Sequence, residues 1–175
     1  MSVRKNAVIP LRIESLSSDG NGVGRAEGQA IFVPGCAVGD EILARIVKDC
    51  GRYAFAIVEE LRHPGPGRVP PDCPVSTRCG GCCFRHLDYG TECKAKESFV
   101  QDAFTRIGGM DLAVEPILPA PSPLRYRNKV QLPVGVGPDG HLTTGFYAGR
   151  SHRIVPCADC LLQPEIFSEI VQFLE

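Results

Sequence analysis

No tryptophan occurs in this chain, and aromatic residues make up only 7% of it. No apolar run approaches the roughly 18 residues that a membrane-spanning helix needs, so a membrane partner is not expected. The first ten residues lack an apolar signal core, and a cytoplasmic location follows as the expectation. The formal charge is only −1, with 19 basic against 20 acidic side chains. That balance excludes indiscriminate adhesion to polyanions, although a local basic stripe can hide inside a neutral total. Internal repeats and low-complexity tracts are missing too, which argues against a solenoid.

What is plentiful is turn chemistry: 15 prolines and 19 glycines in 175 residues. With few strong helical periods, strand and turn should dominate. Residues 8–13, 30–34, 41–48 and 53–61 read as short strands, and Ser17 to Gly22 as a turn. Strands at this spacing predict a closed or nearly closed barrel over residues 1–62, which leaves no exposed edges. Residues 63–72 are a proline-stiffened linker by composition. Residues 73–175 should form a small α+β domain. A helix is predicted over 88–107, with Phe99, Ala103 and Ile107 on one face beside Val100 and Phe104, stopped by Gly108 and Gly109. Strands follow at 112–118 and 127–136, and Pro138-Asp139-Gly140 turns the chain into a further strand at 141–148. A last helix begins near Pro164, with Ile166, Ile170 and Leu174 on one face.

Nine cysteines are too dilute for a disulfide scaffold, and the number is odd. Cys73, Cys79 and Cys82 fall within ten residues, with Gly80 and Gly81 between the last two. Clustered thiolates separated by glycine suit convergence on an inorganic centre. Two centres fit. A [4Fe-4S] cluster would take Cys73, Cys79 and Cys82 from one loop and Cys160 from elsewhere. Zinc would take the two CxxC pairs, Cys79 with Cys82 and Cys157 with Cys160, leaving Cys73 over. Cys36, Cys50 and Cys93 read as buried, inert thiols, and Cys83 as a bystander.

The surrounding motifs carry a resemblance. Residues 13–16 (Ile-Glu-Ser-Leu), Asp19 to Arg25, Phe32-Val33-Pro34-Gly35 and Gly39-Asp40 resemble a TRAM domain, an RNA-binding barrel of OB-like, five-stranded form. Cys79 to Cys82, His86-Leu87, Tyr89 and Lys96 resemble the cluster segment of the RNA uracil-5-methyltransferases, especially the 23S rRNA branch. Residues 126–129, 145–147, Ser151-His152 and 159–163 are similar to the central domain of the same family. The resemblance implies a [4Fe-4S] cluster on Cys73, Cys79, Cys82 and Cys160. It also implies methyl transfer from S-adenosylmethionine to C5 of a uracil. In that chemistry a cysteine thiolate adds to C6 and a carboxylate acts as base, on a base taken out of the RNA. The family's catalytic domain has no counterpart in these residues, so the chain reads as an N-terminal portion that would not methylate by itself.

Its expected role is then RNA binding, as a monomer, with ribosomal RNA favoured over tRNA. Arg25 in the barrel, Arg127, Lys129 and Gln131 on one face of the expected strand, and Arg150, His152 and Arg153 beyond it are the candidate contacts. Tyr126, Phe146 and Tyr147 are assigned to core packing, with stacking on bases the alternative. A stand-alone zinc-binding RNA adaptor is the alternative reading.

Overall fold

A computed structural model describes residues 3–137 and 139–174. The chain divides into two compact units. The first comprises Met1–Pro70 and His86–Leu118, the second Pro71–Arg85 and Pro119–Glu175.

The first unit is built on six strands: β1 (Val8–Arg12), β2 (Ser15–Leu16), β3 (Asn21–Ala26), β4 (Gln29–Pro34), β5 (Glu41–Asp49) and β6 (Tyr53–His63). Their order in the sheet is β1-β5-β6-β4-β3-β2, with β4 and β6 parallel. β1 pairs with β5 at one edge and β2 with β3 at the other. Only Ile13 and Glu14 separate β1 from β2, so a single bent stretch of chain forms both edges and curls the sheet towards a barrel. Alternation along the strands fills the interior: Ile31, Val33, Ala44, Ile46 and Ala54 are fully buried, with Ile13, Ile42 and Ala56 all but so.

Sequence patterning misses β2, which is only two residues long, and β3, where Gly22 and Gly24 stand in place of alternating apolar residues. The geometry accounts for the glycines. A Cβ on Gly24 would lie 2.4 Å from the carbonyl oxygen of Arg12, and one on Gly22 would lie 2.6 Å from Cβ of Cys36. The bent β1–β2 segment crosses β3 too closely for any side chain.

The stretch read as a linker is bound to this unit. Asp40 is fully buried. Its carboxylate accepts from the N–H of Ala37 at 2.7 Å, from the N–H of Gly65 at 2.8 Å and from Nε of Arg68 at 3.0 Å. Arg68 also donates to the carbonyl of Gly35 at 2.7 Å. Residues 67–69 in turn pair with 86–88, the N–H of Val69 donating to His86 at 2.9 Å and that of Asp88 to Gly67 at 3.0 Å. His86 is buried, with Nε2 at 2.9 Å from the carbonyl of Cys36.

Asp88 caps α1 (Tyr89–Asp102), its side chain accepting from the N–H of Thr91 at 2.8 Å. A π-helical turn, Ala103–Ile107, follows. Gly109 at φ 64° and the bond from Met110 N–H to Phe104 close the end as the glycine pair predicts. The predicted apolar stripe is not a core: Ile107 is 88% exposed, Val100 and Phe104 are exposed, and Cys93 is the buried residue of the helix. Residues 112–118 form no strand. Their backbone is held instead by α1 side chains, Val114 N–H by Gln101 and Ile117 N–H by Glu97.

The second unit contains a three-stranded sheet, β7 (Val134–Val136), β8 (Leu142–Tyr147) and β9 (Ile154–Pro156), followed by α2 (Glu165–Leu174). Pro138 of the expected turn lies outside the described residues. The strand expected over 127–136 shrinks to β7. The N–H groups of Arg125 and Arg127 donate to the carbonyls of Leu161 and Leu162, which takes them out of any ladder. On α2 the face carrying Ile166, Ile170 and Leu174 is exposed, and Val171 is the buried residue. No helix among the described residues is long and apolar enough to cross a membrane.

Two acid-sensitive groups sit at the Asp40 junction. Burial alone would raise the Asp40 pKa, but hydrogen bonds from Arg68, Gly65 and Ala37 outweigh it and hold the carboxyl below its ordinary value. Burial holds His86 below the usual imidazole value. Both pKa values are depressed on folding, so each group contributes stability that is lost as pH falls. Melting temperature should drop first as pH falls below about 6.5, the unfolded value of His86. It should drop again below about 4, that of Asp40. His86→Gln should abolish the first step, and a flat melting temperature from pH 7 to 5 in the unmutated protein would contradict the assignment. Asp40→Asn, which leaves Arg68 uncompensated, should cost about 3–5 kcal/mol in urea unfolding.

Candidate functional site

The second unit gathers most of the cysteines. Residues 73–79 form consecutive turns, the N–H of Cys79 donating to Val75 at 2.8 Å. Cys79 bridges to Ala148, and Gly80 N–H donates to Tyr147 at 3.0 Å, so the loop lies against the end of β8. Gly80 is required there: an added Cβ would stand 3.0 Å from the backbone of Gly149 and 3.1 Å from the carbonyl of Tyr147. The Gly81 N–H points at Cys79 Sγ, 3.4 Å away. Cys73, Cys79 and Cys157 pack on a small core of Val75, Ala148 and Val155.

Electrostatics link the same set. Burial, then the neighbouring thiols Cys160 and Cys79, raise the Cys82 pKa to about 11. Burial, then Cys160, Cys73 and Cys79, raise that of Cys157 to about 12. Five sulfurs thus share one neighbourhood, those of Cys73, Cys79, Cys82, Cys157 and Cys160. Cys157 joins it through Cys160, Cys73 and Cys79. Cys83 is exposed, Cys36 and Cys93 are buried, and Cys50 is half-buried. Among the described residues, however, no group of three or more His, Cys, Asp or Glu side chains is arranged to hold a metal ion.

Whether a thiolate-bound centre suits these residues can be judged on their chemistry. The donor set is soft sulfur throughout, the ligand type that selects zinc or iron–sulfur clusters. Gln163, three residues after Cys160, is buried, and its side-chain Nε2 donates to nothing. A buried donor without an acceptor is costly, and thiolates are acceptors. The donor types suit such a group, while the described residues show no assembled site for it.

Arg125, one of the cations of the sequence's basic stripe, does something else. It sits at φ 59°, and its guanidinium forks onto Asp159 with bonds of 2.6 and 3.0 Å. It also donates to the carbonyls of Cys160 at 3.3 Å and Gln163 at 3.1 Å. Ser168 donates to Asp159 at 2.8 Å from α2. The Arg125 side chain therefore clamps the loop that carries Cys160.

The candidate RNA contacts fall into three groups. Arg25 is exposed on β3, opposite Ala30. Arg127 is half-buried, while Lys129 and Gln131 are exposed. These three lie in a segment without strand structure, so the shared strand face expected for them does not exist. Arg150, His152 and Arg153 are exposed on the turn between β8 and β9, closed by the bond from Ala148 N–H to Arg153 at 2.9 Å. Two of the aromatic residues assigned to the core are outside it. Tyr126 is 59% exposed, and Tyr147 is 47% exposed with its ring 5.3 Å from that of His152. Sequence reading also passed over Phe32, Tyr53 and Phe55 of the first unit, whose rings meet across β4 and β6.

The comparisons with known proteins bear on both units. Residues 3–58 match the TRAM domain. The TRAM match spans all six strands of the first unit except the end of β6. Over 99% of its length the chain is 38% identical to an uncharacterized RNA methyltransferase of Clostridium tetani. Over 93% it is 40% identical to one of Listeria monocytogenes serotype 4b. Those alignments cover 37% and 36% of the relatives, so the chain spans a little over a third of the length of the curated proteins it matches. Among solved structures, it resembles the Pyrococcus abyssi tRNA (uracil-54, C5)-methyltransferase in complex with S-adenosyl-L-homocysteine. The TM-score is 0.59 at 26% identity, over 93% of this chain and 35% of that one. The chain's homologues are RNA methyltransferases, and the likeness runs through both units.

Arg125→Ala should release the Cys160 loop. The expected sign is faster labelling of Cys160 by a thiol reagent with Cys36 labelling unchanged, mapped by mass spectrometry. Equal Cys160 rates in the two proteins would contradict the clamp.

Proposed function

We propose that this chain is the RNA-recognition and iron–sulfur portion of an S-adenosylmethionine-dependent enzyme that methylates C5 of a uridine in RNA, with 23S rRNA the favoured substrate. The observation that carries the reading is the alignment of nearly the whole chain, cysteine loop included, with RNA methyltransferases. The likeness to a tRNA uracil-54 methyltransferase supports uracil C5 as the target atom and makes tRNA the second substrate to test. S-adenosylmethionine belongs to the whole enzyme; this chain's residues would bind and orient the RNA. The domain division follows that reading: a TRAM-like barrel over 1–62, a connection over 63–72 and the cluster-bearing region over 73–175. Monomeric state and cytoplasmic location belong with it.

Cys73, Cys79, Cys82 and Cys160 would hold the [4Fe-4S] cluster. When bound, the cluster supplies a four-thiolate cross-link between the 73–82 loop and the segment before α2, a structural service more than a redox one. Arg127, Lys129, Gln131, Arg150, His152 and Arg153 in the second unit, and Arg25 in the first, would meet phosphates or an extruded base. A zinc-binding RNA adaptor is the second reading. The packing of Cys157 beside Cys73 and Cys79 is what favours it.

The two centres use different cysteines, so substitution separates them. Anaerobically purified protein should be brown, absorb broadly near ~400 nm and carry about four iron atoms per chain. Cys73→Ser and Cys160→Ser should each lose that iron, while Cys157→Ser keeps it. Colourless protein with one zinc, lost in Cys157→Ser and kept in Cys73→Ser, would contradict the cluster and install the adaptor.

A further inference from the structure

The outer face of the first unit carries a feature that neither the cysteine loop nor the basic turn accounts for. β4 and β6 run parallel with Phe32 opposite Phe55 and Ala30 opposite Tyr53. Directly opposed residues share a sheet face. Ile31, Val33, Ala54 and Ala56 fill the interior on the other side. The three rings therefore stand outside the core. Their centroids lie 5.7 to 6.0 Å apart, Tyr53 set edge-on to both phenylalanines. Tyr53 remains 42% exposed. Together with Ala30 and Asp19 they line a shallow apolar recess of about 350 Å³.

Charge on this face is favourable to an anion. On β3, Arg25 lies opposite Ala30; on β5, Lys48 lies opposite Phe55. Both cations are exposed, and neither has a carboxylate partner among the described residues. Arg45, further along β5, is paired with Glu59. The acid of the recess, Asp19, is engaged by Ser17 at 2.5 Å and by Asn21 at 2.9 Å. Ring faces bordered by cations on two flanking strands match a chain whose flat apolar groups alternate with phosphates.

We propose that this face is a base-stacking platform for single-stranded RNA, with Phe32, Tyr53 and Phe55 taking nucleobases and Arg25 and Lys48 taking the phosphates beside them. The proposal rests on the RNA-binding reading and assigns it a place in the first unit. Stacking on aromatic rings tolerates any base, because every base has a π-face. The platform would thus hold an unpaired strand without selecting its sequence, leaving recognition of the target to other contacts.

The test uses the whole 175-residue chain, a fluorescent 12-nucleotide single-stranded RNA and an abasic oligonucleotide of the same length. Phe32→Leu, Tyr53→Leu and Phe55→Leu keep apolar bulk while removing the ring, and circular dichroism and melting verify the fold. Each should weaken RNA binding by at least about fivefold while leaving abasic binding unchanged. Arg25→Gln and Lys48→Gln should each lower the slope of log affinity against log salt by about 0.7. If the unmutated protein binds RNA in a salt-dependent way and the ring variants bind it equally well, the platform is wrong and the RNA reading stands. If no RNA binds, both are wrong. Self-association of the chain that Phe55→Leu abolishes would overturn the platform in favour of a contact between two copies.

Discussion

The buried carboxylate of Asp40 is the constraint on which the first unit depends. An ionised group without solvent is tolerable only when paired and fully hydrogen-bonded, and Asp40 is both. Its partners come from three places in the chain: the corner after β4, the glycine at 65 and the guanidinium at 68. Satisfying one charge therefore fixes the barrel corner and the chain that leaves β6. That chain then pairs with residues 86–88, which cap α1. The cysteine loop departs after Pro70 and returns at His86, so its two ends are tied by the same pairing.

In the second unit the physics runs the other way. Three thiols, those of Cys73, Cys79 and Cys157, pack on a core of three buried apolar residues, and neighbouring thiols raise the cost of ionising Cys82 and Cys157. A small unit with so little apolar burial gains from a cross-link that substitutes for core. A soft cation would turn mutual repulsion into a bond network. Arg125, by clamping the Cys160 loop from a left-handed backbone position, holds the segment before α2 in place.

What was legible in the sequence is what local pattern encodes. Alternation exposed β1, β4, β5 and β6 because their inward residues are apolar and fill one interior. The start of α1 near residue 88 and its glycine stop were legible for the same local reason. β3 was not, since its glycines answer a close crossing that no short window shows. Nor was the failure of 127–133 to form a strand, which follows from bonds to Leu161 and Leu162 some 35 residues away. The aromatic trio is the plainest case. Phe32 and Phe55 meet through a parallel, non-local pairing of β4 and β6, and a parallel register leaves no mark on either strand's own sequence. Apolar faces on α1 and α2 were legible, yet they stay largely exposed, because helical periodicity marks a face without saying what covers it.

RNA contact through both units is what the functional proposal requires. Ultraviolet cross-linking of single-stranded RNA to the protein, mapped by mass spectrometry, tests it most directly. Nucleotide adducts are expected on β4 or β6 around Phe32, Tyr53 and Phe55, with a second set within residues 125–153. Adducts confined to one unit, or none that survive competition by unlabelled RNA, would contradict the proposal.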